Sequence, residues 1–130
     1  MRILVVEDEP FTRDALAAIM ENYGVCTAAG EGRSALAAFS GALESGEPYD
    51  LITLDIEMPE MNGQEILTRI RETEKIKSIP ADERAKVVML TCHAEREHLS
   101  ASIRAGCDDY ILKPFSRKIV EEKLRKLNLL

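Results

Sequence analysis

The stretch that decides the fold is DLITLDIEMPEMNG, residues 50–63. Its apolar part, Leu51 to Leu54, reads as a buried strand. Asp55 follows at once, and behind it come Glu57, Met58-Pro59 and Asn62-Gly63. A carboxylate at the end of an apolar strand, with a turn directly after it, is costly to bury and needs a reason. Asn62 is a natural helix N-cap, and Glu65 three residues on completes a capping-box pattern. The helix it starts carries Ile66, Leu67 and Ile70 on its inner side.

The same strand-then-helix rhythm runs through the rest of the chain. ILVV, residues 3–6, is a short buried strand. The helix after it has Phe11, Ala15, Ile19 and Met20 as its apolar stripe. Gly24 breaks the chain, and VCTAA, residues 25–29, suits a weaker strand. Ala35, Leu36, Phe39 and Leu43 make the next stripe, which ends at Gly46 and Pro48. Beyond a polar loop containing Pro80, VVML at residues 87–90 is a fourth strand. A helix with Leu99 and Ile103 follows, ended by Gly106. DYIL at residues 109–112 is a fifth strand. Ser116 can cap a last helix with Ile119, Val120, Leu124 and Leu127 facing in.

Five strand–helix units with continuously apolar strands predict a parallel sheet covered by helices on both faces. Right-handed crossovers then give an open, doubly wound α/β sheet. Sites in such sheets lie beyond the carboxyl ends of the strands. No repeat, linker or low-complexity stretch interrupts the pattern, so residues 1–130 are expected to form a single domain.

Composition narrows the function classes. Of 130 residues, 45% are hydrophobic and 31% charged, with no Trp, as in a soluble globule. The formal net charge of −6 argues against nonspecific nucleic-acid binding, which needs a basic face. No apolar run approaches the ~20 residues that span a bilayer. The start, MRILVVEDEP, lacks the long apolar core of a signal peptide. A cytoplasmic location is expected, with no membrane partner. Cys26, Cys92 and Cys107 show no metal-ligand or disulfide spacing and read as free thiols.

The strand ends carry the chemistry. The first strand ends in Glu7-Asp8-Glu9, the third in Asp55, the fourth in Thr91, and the fifth runs into Lys113-Pro114. The fold would gather carboxylates, a hydroxyl and an ammonium in one pocket. Clustered carboxylates repel unless a cation compensates. Their oxygen chemistry suits a hard divalent ion, Mg2+ above all, with Mn2+ as a substitute. A carboxylate is a competent nucleophile toward phosphorus, and lysine and threonine can hold phosphoryl oxygens. Alone, each residue has a plain alternative: Glu7 to Glu9 as a solvated loop before a helix, Thr91 as a strand-end hydroxyl, Lys113 as a surface lysine, Tyr110 as core filler. His93 and His98 have no ligand partners at useful spacing.

At VVEDE, LDIEMPEMNG, MLTC and YILKPF the chain resembles the receiver domains of two-component response regulators, over essentially its whole length. The resemblance implies a flavodoxin-like sheet of order 2-1-3-4-5 with five flanking helices. It implies Asp55 as phosphoacceptor, Asp8 as a direct Mg2+ ligand, Glu7 in an outer position and the backbone carbonyl of Glu57 as a further ligand. Thr91 and Lys113 match the phosphoryl-binding positions, and Tyr110 the switch aromatic. Lys113-Pro114 matches a cis peptide. Glu57 and His93 stand where the family tunes dephosphorylation.

The implied function is a phosphorylation switch rather than a classical enzyme. A sensor histidine kinase or histidine phosphotransfer protein donates to Asp55, and water later removes the group. The surface of the fourth helix, fifth strand and last helix then changes toward an output protein. The chain is expected to act as a monomer or a weak phosphorylation-dependent dimer, and a relay role fits the same chemistry. Three other classes fit less well. A haloacid-dehalogenase-type phosphatase wants a second Asp where Glu57 stands. A purely structural receiver would be expected to lose a site residue. A flavin protein would carry a phosphate-cradling loop after the first strand.

Overall fold

The computed structural model describes residues 1–92 and 96–130, with the backbone alone for 96–99. The elements alternate: β1 (Arg2–Val6), α1 (Pro10–Met20), β2 (Val25–Ala29), α2 (Gly32–Glu44), β3 (Leu51–Asp55), α3 (Gly63–Ile76), β4 (Lys86–Thr91), α4 (Arg96–Ala105), β5 (Asp109–Leu112) and α5 (Arg117–Lys126). One turn of 3-10 helix, Ala81–Glu83, precedes β4. All neighbouring strands pair parallel, in the order β2-β1-β3-β4-β5. The sheet is the doubly wound one that the sequence predicts.

Side chains alternate across each strand, so the sheet builds two cores. Leu4, Val6, Ile52, Leu54, Val87 and Met89 pack with Phe39, Ile66, Leu67 and Ile70 of α2 and α3. Ile3, Val5, Leu51, Val88, Leu90 and Ile111 pack on the other face with Leu16, Met20, Val120 and Leu124 of α1 and α5. Burial of each such side chain contributes about 1.5–3 kcal/mol. That rigidity is what holds the strand ends in register for the site.

Helix starts follow local chemistry. Asn62 Oδ1 accepts the Glu65 N–H at 3.0 Å, and Ser116 Oγ accepts that of Ile119 at 3.2 Å. Both caps match the sequence reading. On the far side of α3, Arg71 ties three segments together. It donates to Glu74 at 2.7 Å, to the Ala85 carbonyl at 2.8 Å, to the Gly106 carbonyl at 3.0 Å and to Asp108 at 2.9 Å. This fastens the start of β4 and the turn before β5 to the helix.

Several expectations need correction. Phe11 is 82% exposed and Ala15 is exposed; the inward stripe of α1 is Leu16 and Met20, with Ile19 only half-buried. The first turn of α1 stands level with the loops past the strand ends, so no sheet lies beneath Phe11. Ile119, in the first turn of α5, is 39% exposed for the same positional reason. β2 is one edge of the sheet, and of its five residues only Ala29 is buried. Leu99 belongs to the residues whose side chains are not described.

Candidate functional site

β1 ends by delivering Glu7 and Asp8 beyond the sheet. The Glu7 N–H donates to the Ala29 carbonyl at 3.1 Å, so the chain stays on the sheet for one more residue. Arg13 Nη1 donates to the Glu7 carbonyl at 3.2 Å and fixes the turn from the α1 side. β3 delivers Asp55 as its last residue, paired in register with Leu90 of β4. Adjacent strands therefore bring together residues some fifty positions apart.

The result is an acid cluster. One carboxylate oxygen each from Glu7, Asp8 and Asp55 lie within 4.8 Å of one another. Glu7 is 1% exposed and Asp55 3%, while Asp8 is half-buried. Lys113, on the segment after β5, reaches in from the far strand. Its Nζ donates to Glu7 Oε2 at 2.8 Å and stands 3.4 Å from Asp55 Oδ1. The Glu57 N–H donates to Asp55 Oδ1 at 3.1 Å and orients the carboxylate.

The electrostatics match that crowding. Burial pushes the Asp55 carboxyl up, the Lys113 charge pulls it down, and the neighbouring Glu7 raises it again; the pKa stands at about 7. Burial works against the charged form of Lys113. The hydrogen bond to Glu7 and the charge of Asp55 outweigh it, and the pKa lies above the ordinary lysine value. Three close carboxylates facing one ammonium leave a surplus of negative charge. An all-oxygen donor set with one half-open member fits a hard divalent cation.

Thr91 ends β4 and is buried, and its carbonyl accepts the Lys113 N–H at 2.8 Å. Lys113-Pro114 is a cis peptide. Tyr110 sits half-buried in β5, paired in register with Met89. Glu57 is exposed, and the N–H rather than the side chain is what joins Asp55. The structure thus gathers Glu7, Asp8, Asp55 and Lys113 in one cluster, Lys113 touching Glu7 and Asp55, with Thr91 and Glu57 joined through their backbone. His93 lies outside the described residues.

Glu9 does something else. Its carboxylate caps α1, accepting the N–H groups of Phe11 at 3.1 Å and Thr12 at 2.7 Å. The Thr12 hydroxyl and these N–H groups hold its pKa below the ordinary glutamate value. Gly63 is a position that sequence reasoning missed. A Cβ there would overlap the Asp55 carbonyl oxygen and come within 3.0 Å of Ile56 Cα. Only glycine lets the start of α3 pass so close to the Asp55 backbone. The Asn62-Gly63 pair was the signal available for it.

Residues 3–125 match the family described as the response regulator receiver domain. The chain belongs to this family. Receivers are phosphoacceptors of two-component signalling that use Mg2+. This one is CheY-like: it is 30% identical to chemotaxis protein CheY of Pseudomonas aeruginosa, over 98% of this chain and 95% of that one. It is 33% identical to the hybrid signal transduction histidine kinase L of Dictyostelium discoideum, over 96% of the receiver but 7% of the kinase. Among solved structures it resembles the CheX–CheY–BeF3–Mg2+ complex from Borrelia burgdorferi. There the TM-score is 0.82 at 26% identity, over 98% of this chain and 89% of that one. No helix of the described residues is long and apolar enough to cross a membrane.

Proposed function

We propose that Asp55 is the phosphoacceptor of this receiver, charged by a phosphohistidine on a sensor histidine kinase or a histidine phosphotransfer protein. An Asp55 carboxylate oxygen attacks phosphorus. The phosphorus–nitrogen bond breaks, and the imidazole leaves with the electron pair. The observation that carries the reading is the cluster of Glu7, Asp8 and Asp55 oxygens within 4.8 Å, bridged from the opposite strand by Lys113.

Asp8 and Asp55 would hold Mg2+ directly, with the Glu57 carbonyl as a further ligand and Glu7 in the outer position. The bound ion would neutralise the carboxylates and the phosphoryl oxygens that approach them. Thr91 and Lys113 would bind the phosphoryl group, Lys113 leaving Glu7 to do so. The Glu57 N–H already holds one Asp55 oxygen, which leaves the other to react. Exposed Phe11 and a cavity of about 410 Å³ beside Lys113 and Cys92 offer a docking partner an apolar foothold. Glu57 and His93 would tune the lifetime of the phosphoryl group.

The added charge favours one of two conformations, and Tyr110 follows Thr91 in reporting it to the surface of α4, β5 and α5. A shift from 1:99 to 99:1 takes about 5.5 kcal/mol of differential interaction. The whole of residues 1–130 acts as one receiver in the cytoplasm, alone or as a weak phosphorylation-dependent dimer. Titration with beryllofluoride and Mg2+ tests this reading. Wild type should bind stoichiometrically, and Asp55→Asn and Asp8→Asn should not. Equal binding by Asp55→Asn refutes it.

A further inference from the structure

β5 is an edge strand, and Asp109 and Tyr110 are successive residues on it, so their side chains leave on opposite faces. Lys123 of α5 touches both. Its Nζ donates to Asp109 Oδ1 at 2.9 Å and stands 5.0 Å from the centroid of the Tyr110 ring. The lysine therefore wraps around the rim of the sheet. One partner is firm: the Asp109 side chain is 6% exposed and its Oδ1 also accepts the Tyr110 N–H at 2.8 Å. The other partner is an aromatic ring that, among the described residues, is held by packing and by the ammonium over its face.

We infer that Lys123 is a positioning residue for Tyr110, a latch anchored on Asp109 that favours the ring orientation seen here over the one that follows phosphorylation. The inference rests on Tyr110 being the switch aromatic. The geometry gives the latch a direction. An ammonium 5.0 Å from the ring centroid stabilises this ring position, so a rotation that carries the ring away from Lys123 forfeits the contact. A phosphoryl mimic that requires Tyr110 to rotate must break it. By linkage, removing the latch must tighten binding of the mimic by the same factor. A cation–ring contact at a partly exposed site corresponds to about two- to fivefold in an equilibrium constant. Lys126, whose Nζ is 3.5 Å from Asp109 Oδ2, supports the anchor.

The test uses the full chain labelled with 3-fluorotyrosine, the Tyr110 signal being assigned by Tyr110→Phe. Binding of Mg2+ and beryllofluoride is measured alongside. In wild type the signal should move when the mimic binds. In ligand-free Lys123→Met it should already lie part-way to that position, and the mimic should bind about two- to fivefold tighter. Lys123→Arg, which keeps cation and donor, should restore both values. Asp109→Asn should behave as Lys123→Met does, and the double variant should add nothing further. If the wild-type signal moves but Lys123→Met changes neither its position nor the affinity, the latch is overturned and the switch reading stands. A wild-type Tyr110 signal indifferent to the mimic overturns both.

Discussion

Lys113 and Glu7, 106 residues apart in sequence, are joined Nζ to Oε2 at 2.8 Å. The closer partner of the ammonium is therefore Glu7, and Asp55 at 3.4 Å is the second. Glu7 is the more deeply buried acid and has the greater need of a cation. On the proposed function Lys113 would have two tasks that conflict: it neutralises the buried acids of the metal-free protein, and it would move to meet a phosphoryl group.

The first task predicts the effect of Lys113→Met. The variant leaves Glu7 and Asp55 buried with no cation between them. The metal-free protein should lose about 3 kcal/mol of stability, the low end for a buried pair because Lys113 keeps some exposure. Urea unfolding at pH 7.5 with a chelator measures this, and saturating Mg2+ should recover part of the loss. An unchanged unfolding midpoint would mean that the ion pair contributes nothing.

Asp55→Asn should do the opposite. Two unit charges no more than 4.8 Å apart repel by at least ~3.5 kcal/mol at an effective dielectric of 20. Lys113 already offsets much of that, so metal-free Asp55→Asn should be about 1–2 kcal/mol more stable than wild type. Mg2+ should raise the melting temperature of wild type and leave that of Asp55→Asn nearly where it was. A variant less stable than wild type without metal would show that the acid cluster is not under repulsion.

Gly63 supplies a prediction that involves no charge. In Gly63→Ala the new methyl group displaces the Asp55 backbone or the start of α3. Stability should fall by about 1–3 kcal/mol from overpacking. Binding of Mg2+ with beryllofluoride should weaken at least tenfold as Asp55 shifts, since small misplacements of reacting groups are costly. Calorimetry on the folded variant separates the two effects. Undiminished binding would show that the close approach at Gly63 is irrelevant to the site.

Asp109 sets a pH dependence. Burial pushes its carboxyl up. The Lys123 hydrogen bond, the Tyr110 N–H and the charges of Lys123 and Lys126 outweigh burial, and the pKa lies below the ordinary aspartate value. A depressed pKa stabilises the fold above the unfolded-state value of about 3.9 and ceases to do so as pH falls through the folded-state value. Asp109→Asn should be less stable than wild type by about 1–2 kcal/mol at pH 7. The gap should narrow below about pH 4. A gap that is constant from pH 7 to pH 3 would assign the loss to packing alone.

Much of this was legible in the residues. The apolar runs at 3–6, 51–54 and 87–90 became strands, because a strand buried on both faces writes itself as a largely apolar run; DYIL at 109–112 became the edge strand β5. Asn62 and Ser116 became caps because short polar side chains there have one good use. The acids at the ends of β1 and β3 stood out because nothing in an apolar core requires them. Other features left a fainter trace. Phe11 fell on a helical period but lies past the sheet, and periodicity does not say where the sheet stops. Glu9 looked like a third acid of the β1 cluster, and its use as an N-cap depends on a rotamer. Gly63 mattered for a backbone that passes beside it in space. Lys123 was one lysine among several on a polar helix face, until the sheet edge put Asp109 and Tyr110 on either side of it.

The central claim is that Asp55 carries phosphorus, and it can be tested on the acceptor directly. The protein is incubated with acetyl phosphate and Mg2+, the acyl phosphate is reduced with borohydride, and the product is mapped by peptide mass spectrometry. A single modified residue, Asp55, is expected, with labelling abolished by a chelator, by Asp55→Asn and by Asp8→Asn. Modification of another residue, or full labelling of Asp55→Asn, would contradict it.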